Sequence, residues 1–478
     1  MFRSLINTFR FVGLFCLWAI LGAASYLLVT SFFPTDHEIA SSHGVSSNNP
    51  IPIIRDRELE AATVLFAQSE NPVDLAFDHA GTGYLLDESG KITRIAPTVE
   101  NPDSDANETT EYFDLANEKT DEAIPFTALI FHPAYLNEES KGFGRFYAII
   151  PEKAGAGEVD FRPEFAVSSE HHQDVLVEFK TTTPGAVTFE GERREMLRLS
   201  QPGIEHNMAG LAFDHRGNLF VAIGDGAESK IGKNSPSRNA MSLSNPYGKV
   251  LRIDPLGDNS KNGQYGLPKR NPLAVIDSAI PEIWCYGLRA PHGLQFDPFR
   301  EWLCIGDTGK ENLEEVNISG YGGEHFGWDL CEGSFFFPPS EGSRPTEGVT
   351  APHVEFGRKS DKVVGGFVYR GERFPILAGK IIVATTTGRL LAAKAQPDES
   401  AGGLKLISDP NIAKDSDEEP LMASVNAIRP GPGGEIFILT SEGYVFELHK
   451  PVNAATSKRH RKPLLVMDSK LISRSDSI

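Results

Sequence analysis

The chain has 478 residues, of which 40% are hydrophobic and 23% charged, and its formal net charge is -19 at pH 7. Its length is sufficient for a large core and allows one to three domains. The acidic balance argues against a nucleic-acid partner, because binding to phosphates needs a basic surface. Four cysteines are too few for a disulfide framework, while 45 glycines and 32 prolines favour many short strands over long helices.

Residues 1–33 have the pattern of a membrane anchor. Arg3 and Arg10 are followed by a run without charge from residue 11 to residue 33, which as a helix would cross about 30 Å of hydrocarbon. Positive flanks stay in the cytoplasm, so the sequence predicts a single-pass transmembrane helix with the bulk of the chain on the extracytoplasmic side, periplasmic or extracellular. The small residues at 22–25 leave a cleaved signal peptide, and hence a secreted protein, as the alternative.

The remaining chain divides into three predicted segments. Residues 34–60 are polar and aperiodic, which is typical of a flexible linker. Residues 61–450 carry the regular apolar patterns of the folded domain, and residues 451–478 form a basic, polar tail. Within the domain, the acid-rich run 100–122 is predicted to be a solvated insertion between strands.

A pattern of apolar run, glycine-centred turn and second apolar run repeats along the domain. The plain copies lie at 74–95, 210–254, 293–318, 379–394 and 427–450, and a sixth unit is implied between 128 and 200. Six units of somewhat under about seventy residues suit four-stranded blades. Because the runs have strand length and no helical period, the sequence predicts an all-β, six-bladed β-propeller. The alternative is a seven-bladed ring with one more unit in the stretch 320–364.

Four residues stand out as candidates for chemistry. His206, in GIEHNMAG, is suited to removing a proton from a hydroxyl near neutral pH, or it is a loop histidine that caps a strand. Asp225 in GDG and Asp307 in GDTG end equivalent strands, so a turn-stabilising role is favoured over cation binding for both. Arg289, in YGLRAPHG, would hold a carboxylate or stabilise developing negative charge, or it forms a surface ion pair.

Two pairs of residues add further expectations. Glu314 and Glu315 are adjacent in LEEVN, so on a strand one of them should point inward, and Glu315 is a candidate calcium ligand. Cys285 and Cys304 lie in neighbouring strand patterns. They are either buried free thiols or, in an extracytoplasmic compartment, a disulfide.

Six stretches of the chain resemble, in order, the motifs of the glucose/sorbosone dehydrogenase family, whose members are quinoprotein aldose dehydrogenases. They are HNMAGLAFDHRGNLFVAIGDG, GKVLRID, EIWCYGLRAPHGLQFDP, WLCIGDTGKENLEEVN, GGEHFGW and VVGGFVYRG. The resemblance extends from residue 72 to residue 450. It implies a six-bladed propeller that oxidises an aldose sugar, with pyrroloquinoline quinone (PQQ) and Ca²⁺ as cofactors. The chain is thereby expected to be a membrane-tethered, PQQ-dependent sugar dehydrogenase.

The same resemblance implies roles for individual residues. His206 would be the general base for the anomeric hydroxyl, and Arg289 would bind the quinone and stabilise transition-state charge. Further cofactor contacts would come from Thr308, Gly309, Lys310 and Arg370. Of these, Gly309 and Lys310 would hold the cofactor's Ca²⁺ through their carbonyls. Glu315 and the carbonyl of Phe326 would form a separate calcium site.

Among the positions that depart from the family pattern are three close to the expected cofactor contacts. Ala290 stands where the family has an asparagine that contacts the quinone, Arg370 stands where it has a lysine, and Lys310 lies in the loop that holds calcium. These departures favour, as the alternative function, a non-catalytic propeller that binds a protein or a carbohydrate. A calcium-dependent lactonase is a more distant alternative, because it needs acidic and asparagine ligands that converge on the propeller axis.

Overall fold

The computed structural model describes residues 54–55, 61–96, 107–117, 119–164, 170–226, 238–337, 348–357, 361–394, 405–408 and 424–450. All of them belong to the compact unit Pro52–Ile478, whereas the unit Met1–Ile51 lies outside the described residues. The predicted anchor and the predicted tail therefore also lie outside them. No helix within the described residues is long and apolar enough to span a membrane.

Six sheets of antiparallel strands form the blades of a propeller. Two strands precede the first blade, β1 (Ile54–Arg55) and β2 (Ala62–Gln68). Blade one contains β3 (Pro72–Phe77), β4 (Gly83–Asp87), β5 (Lys91–Ile95) and β6 (Thr109–Asp114). Blade two contains β7 (Leu129–Phe131), β8 (Arg145–Lys153), β9 (His172–Thr181) and β10 (Gly191–Gln201). Blade three contains β11 (Met208–Phe213), β12 (Leu219–Ile223), β13 (Lys249–Ile253) and β14 (Ile283–Tyr286).

The second half of the ring follows the same plan. Blade four contains β15 (Pro291–Asp297), β16 (Trp302–Asp307), β17 (Leu313–Ser319) and β20 (Val354–Gly357), with a hairpin of β18 (Cys331–Glu332) and β19 (Phe335–Phe336) inserted before β20. Blade five contains β21 (Val363–Val368), β22 (Lys380–Thr385), β23 (Leu390–Lys394) and β24 (Lys405–Ser408). Blade six contains β25 (Val425–Pro430), β26 (Ile436–Thr440) and β27 (Tyr444–His449), and β2 completes it.

The predicted all-β, six-bladed propeller is thus confirmed, and the seven-bladed alternative is wrong. The stretch 320–364 supplies the hairpin β18–β19 and the outer strand of blade four instead of another blade. Ring closure is made by β2, which pairs with β27 and so joins the start of the domain to its end. At this closure the ring of Phe437 packs against those of Phe66 and Phe77, with centroids 4.7 and 5.1 Å away.

Apolar side chains fill the spaces between neighbouring blades. Tyr147 of blade two lies in one cluster with Leu251 of blade three, and Phe367 of blade five lies in another with Ile438 of blade six. The central strands β12 and β26 are buried at every residue, because a neighbouring blade covers each face. No blade therefore has a core of its own, and closing the ring leaves no long exposed sheet edge.

Two short strands lie where the sequence predicted irregular chain. Within the acid-rich run 100–122, Thr109–Asp114 forms the outer strand of blade one, and Tyr112 packs its buried ring 4.9 Å from that of Tyr84. The charged residues of this strand face solvent while the tyrosine faces the core. The segment therefore has the acidic composition of a solvated loop although it forms a strand. Within the predicted linker 34–60, Ile54–Arg55 pairs in parallel with β24 of blade five.

In four of the six blades, a side-chain acceptor at the end of the innermost strand fixes the following turn. Asp78, Asp214 and Asp297 each accept a hydrogen bond from the backbone N–H two residues later. In blade two His132 takes this position, and its Nδ1 accepts from the N–H of Ala134 at 3.0 Å. The imidazole is buried, and burial together with the nearby Arg145 guanidinium lowers the pKa of His132 to about 4.

Replacing His132 with asparagine should change how the stability of the fold depends on pH. The unfolded chain binds a proton at His132 near pH 6.5 and the folded chain only near pH 4, so the native fold loses stability as the pH falls through this window. His132→Asn keeps an acceptor for Ala134 and removes the titration. In urea unfolding, the free energy of unfolding of the variant minus that of the native chain should rise by about 2 kcal/mol when the pH is lowered from 7 to 4.5. An identical pH dependence of the two chains would contradict this account, with His79→Asn as the control for removing an exposed histidine.

Candidate active site

The strand directions bring together residues that are far apart in the sequence. His206 precedes β11 and Asp225 follows its antiparallel neighbour β12, so both lie at one end of blade three. Arg289 precedes β15, while Thr308 and Gly309 follow β16, at one end of blade four. The innermost strands β11 and β15 are neighbours in the ring, and the backbone N–H of Asp225 donates to the carbonyl of Arg289 at 2.9 Å. The two groups therefore form one site.

His206 is oriented by a buried carboxylate. Its Nδ1 lies 2.6 Å from Oδ1 of Asp225, and because a carboxylate only accepts hydrogen bonds, Nδ1 carries the proton. In the neutral imidazole the other ring nitrogen, Nε2, is then an acceptor, and no partner for it exists among the described residues. The side chain is 9% exposed. Its backbone has a φ of +60° and lies so close to Gly224 that a Cβ there would be 2.1 Å from the carbonyl oxygen of His206.

Asp225 is a carboxylate at neutral pH although it is fully buried. Burial alone would raise its pKa, but attraction to His206 and Arg289 and hydrogen bonds from His206 and Trp328 outweigh burial and hold the pKa below its usual range. The indole Nε1 of Trp328 donates to Oδ2 at 2.7 Å. Asp225 therefore orients His206, a role that the sequence did not indicate.

Behind Asp225 a buried lysine holds the adjoining turn. The side-chain amide of Asn239 donates to the carbonyl of Asp225 at 3.1 Å. Lys249 in turn donates from Nζ to the carbonyls of Asn239, at 2.8 Å, and Tyr247, at 2.7 Å. Burial lowers the pKa of Lys249 well below its ordinary value. GKVLRID contained this lysine, but nothing in the sequence connected it with Asp225.

Arg289 faces the loop that follows β16. Its Nη1 donates to the carbonyls of Thr308 and Gly309 at 2.9 and 2.8 Å, and its guanidinium lies 5.6 Å from the ring centre of Trp328. Asp307 supports this turn, because its carboxylate accepts from the backbone N–H groups of Arg289 and Ala290 at 3.0 and 2.7 Å. The predicted turn role of Asp307 is confirmed, and Arg289 has loop carbonyls as partners rather than a surface acid.

Arg370 does not belong to this site. It follows β21, is exposed, and donates from Nε to Oδ1 of Asp297 at 3.0 Å. Asp297 ends β15, whereas Arg289 precedes that strand, and seven strand residues separate the two ends by about 20 Å. The strand direction thus places Arg370 at the opposite end of the propeller from His206. In contrast to the expectation from the resemblance, Arg370 is therefore not among the residues that converge with His206 and Arg289.

The proposed calcium ligands Glu315 and Phe326 already have partners in the protein. Glu315 accepts hydrogen bonds from the backbone N–H of Gly333 and the side chain of Asn317, and the carbonyl of Phe326 lies 3.9 Å from the Cys331 thiol. Burial and the nearby Asp307 raise the pKa of Glu315 to about 8. No cluster of three or more His, Cys, Asp or Glu side chains that fits a metal occurs within the described ranges. Calcium binding at Glu315 and Phe326 stays a prediction.

Two further expectations are settled by burial. Glu314 and Glu315 are both buried, and Glu314 accepts from the N–H of Val363 in blade five at 3.0 Å, so neither of the two glutamates faces water. Cys285 and Cys304 are buried free thiols, which excludes the disulfide alternative. A cavity of about 480 Å³ opens at the other end of the innermost strands. Its lining does not include His206 or Arg289, so the site is defined by its hydrogen-bonded groups and not by this cavity.

A family model described as glucose/sorbosone dehydrogenase matches residues 170–446. The chain belongs to the glucose/sorbosone dehydrogenase family. The match covers His206, Asp225, Arg289 and Trp328, so all of the converging residues lie inside it. Family and fold together identify a propeller of the sugar dehydrogenase type.

Individual relatives are more distant. The HIPL1 protein of Arabidopsis thaliana is 28% identical over 283 residues, which cover 55% of this chain and 39% of that protein. The aldose sugar dehydrogenase YliI of Escherichia coli (strain K12) is 27% identical over 254 residues, 52% of this chain and 60% of that protein. The chain thus matches less than two thirds of the length of either relative. The PQQ-bound aldose sugar dehydrogenase of Streptomyces coelicolor shares the fold, with a TM-score of 0.56 and 16% identity over 83% of this chain and 99% of that chain.

Trp328 and Trp284 offer a matched test of the hydrogen bond to Asp225. Both indoles are 9% exposed, but Nε1 of Trp284 has no hydrogen-bond partner among the described residues. Replacing each with phenylalanine removes a similar apolar area, and only Trp328→Phe takes a donor from a buried carboxylate. Chemical unfolding should show Trp328→Phe to be the more destabilising change by about 1–3 kcal/mol. Equal losses of unfolding free energy would show that Trp328 contributes packing alone.

Proposed function

We propose that the chain is a sugar dehydrogenase that oxidises the anomeric hydroxyl of an aldose with His206 as the general base. The observation that carries this proposal is the 2.6 Å hydrogen bond from His206 Nδ1 to Asp225, which leaves Nε2 to accept a proton. Membership of the glucose/sorbosone dehydrogenase family supports the sugar as substrate and the oxidoreductase class.

The proton chemistry follows from the charges around His206. A sugar hydroxyl that donates a hydrogen bond to Nε2 can pass its proton to that nitrogen as the C–H bond breaks. The resulting imidazolium is stabilised by the Asp225 carboxylate, whose pKa is held low enough to keep it ionised. Arg289 lies beside the same carboxylate, and its guanidinium would stabilise negative charge that develops on the sugar oxygen.

The residues present fit PQQ in part. When bound, this quinone supplies the two-electron acceptor for the hydride. Arg289, half-buried over Trp328, together with Thr308 and Lys310 of the adjoining loop, would hold its anionic groups. Ala290 has no side-chain amide for such a contact, and Arg370 lies at the other end of the strands.

An aromatic hairpin supports a carbohydrate as the ligand. Phe335 and Phe336, which form β19 of the β18–β19 hairpin, are exposed, and Phe337 packs its ring 6.0 Å from Trp328. Glu332 holds the hairpin to blade four, because its Oε1 accepts three backbone N–H groups of residues 311–313 at 2.8, 3.0 and 3.3 Å. Rigid, exposed aromatic rings beside polar groups are typical of sites that bind small polar ligands.

A non-catalytic carbohydrate-binding propeller is the second candidate. The hairpin supports it equally well, and Ala290 and the placement of Arg370 favour it over the dehydrogenase. The two candidates differ in whether His206 matters for turnover, which a mutant series can measure.

The test is aldose-dependent dye reduction by the purified chain reconstituted with PQQ. His206→Gln should lower kcat/KM at least about a hundredfold, because general-base catalysis contributes that much or more. Asp225→Asn should lower kcat by a similar or larger factor, since the amide stabilises the wrong imidazole tautomer. His215→Gln, an exposed histidine in the turn after β11, is the matched control and should keep the native rate. Undiminished turnover in His206→Gln would contradict the proposal, and sugar binding without any turnover would favour the second candidate.

We also propose that residues 11–33 tether the propeller to a membrane on its extracytoplasmic side. The support is the run without charge and its positive N-terminal flank. In cells that produce the full chain, the protein should remain in membranes after an alkaline wash, and protease added outside should digest the propeller. Release of the whole protein into the medium would identify a cleaved signal peptide instead.

A further inference from the structure

The loop after β16 presents its carbonyl oxygens to a cation that is part of the chain. Thr308 and Gly309 direct their carbonyls at Nη1 of Arg289, 2.9 and 2.8 Å away. Backbone carbonyls are also the ligands that Ca²⁺ takes in proteins, and Gly309 is one of the two residues for which the resemblance implied that role. The guanidinium therefore occupies the oxygen atoms that a calcium ion at this loop would need as ligands.

The loop is built so that these carbonyls keep their direction. Gly309 packs so tightly that a Cβ would lie 1.8 Å from the carbonyl oxygen of Leu313 and 2.4 Å from Oε1 of Glu332. The same carboxylate oxygen accepts the backbone N–H groups of Glu311, Asn312 and Leu313. Rotating the Gly309 peptide toward another position would break this arrangement. The carbonyls are preorganised for the guanidinium.

The charges around the loop disfavour a second cation. An ion bound to Gly309 at 2.3–2.6 Å, the usual range for Ca²⁺, would share its oxygen with a permanently charged guanidinium. Lys310 adds another positive charge next in the chain. The nearby carboxylate of Asp307 is already engaged by two backbone N–H groups, and no metal-binding cluster of acids, histidines or cysteines occurs in the described part of the chain. A calcium ion at this position would be strongly repelled by the positive charges of Arg289 and Lys310, because the site is half-buried.

The same guanidinium has donors left for a ligand. Nη1 uses its two hydrogens on the loop carbonyls, while the N–H groups on Nε and Nη2 have no partner among the described residues. A planar pair of N–H donors matches the two oxygens of a carboxylate. Trp328 lies over one face of the guanidinium, and its indole N–H donates to Asp225, the carboxylate that orients His206.

We infer that Arg289 takes the place of calcium in this site and binds a carboxylate of the ligand directly, without Ca²⁺. The inference rests on the proposed function only in using the His206 end as the ligand site. The carboxylate would come either from the quinone or from an acidic sugar such as a uronate. These two sources share one chemistry and are separated by the probes of the experiment.

The experiment is isothermal titration of the full chain with PQQ and with D-glucuronate, in EDTA and again with excess Ca²⁺, and with D-glucose as the uncharged comparison. At least one carboxylate probe should bind in EDTA, with a Kd that Ca²⁺ changes less than about twofold. Arg289→Gln should weaken that binding at least about tenfold, because a charged, bidentate contact is lost. Lys269→Gln, which removes the charge of an exposed lysine in the loop between β13 and β14, is the control and should weaken it less than about threefold. The probe that binds identifies the source.

Several results would overturn the inference. Binding that requires Ca²⁺ or tightens tenfold with it, binding unchanged in Arg289→Gln, or no binding of either carboxylate probe would each do so. Thermal unfolding of the variants shows whether a loss of binding reflects loss of the fold, and Arg289→Lys, which keeps the charge but not the fork, should then restore only part of the affinity. Because binding and not turnover is measured, failure here is distinct from failure of sugar oxidation.

Discussion

The site depends on keeping one buried carboxylate charged. Asp225 is completely inaccessible to water, and an isolated ionised group in that position would be strongly disfavoured. The protein compensates with the imidazole of His206, the indole N–H of Trp328 and the nearby guanidinium of Arg289. The imidazole and the indole are thereby fixed in orientation. Lys249 and Asn239 complete the arrangement from behind by holding the turn on which Asp225 sits.

The directions of the propeller strands bring the groups that stabilise Asp225 together. Every blade starts at the axis, so the segments that precede the innermost strands and those that follow the second strands meet at one end of the ring. His206, Asp225 and Arg289 all occupy such positions in blades three and four. The insertion between β17 and β20 of blade four adds Trp328 and the aromatic hairpin to the same end. The propeller provides the scaffold, while the chemistry depends on a few residues next to the ends of its strands.

The sequence predicted features that repeat and missed those that depend on long-range contacts. Six blades were readable because each copy spaces two apolar runs around a glycine turn, and His206 stood out because no other copy has an equivalent. Thr109–Asp114 was missed because its inward-facing Tyr112 is surrounded by acids. The partnership of Asp225 with Trp328 joins residues 103 positions apart, which no local pattern reveals. Arg370 was assigned to the wrong end because motif position alone does not specify strand direction.

The tautomer of His206 tests this arrangement, and it can be observed by nuclear magnetic resonance of the full chain labelled with nitrogen-15 at histidine. Because Asp225 accepts from Nδ1, the neutral imidazole should carry its proton on Nδ1 and not on Nε2. Asp225→Asn should abolish this preference. A native protein in which His206 carries its proton on Nε2 would have no base directed at a sugar hydroxyl, and that result would contradict the account.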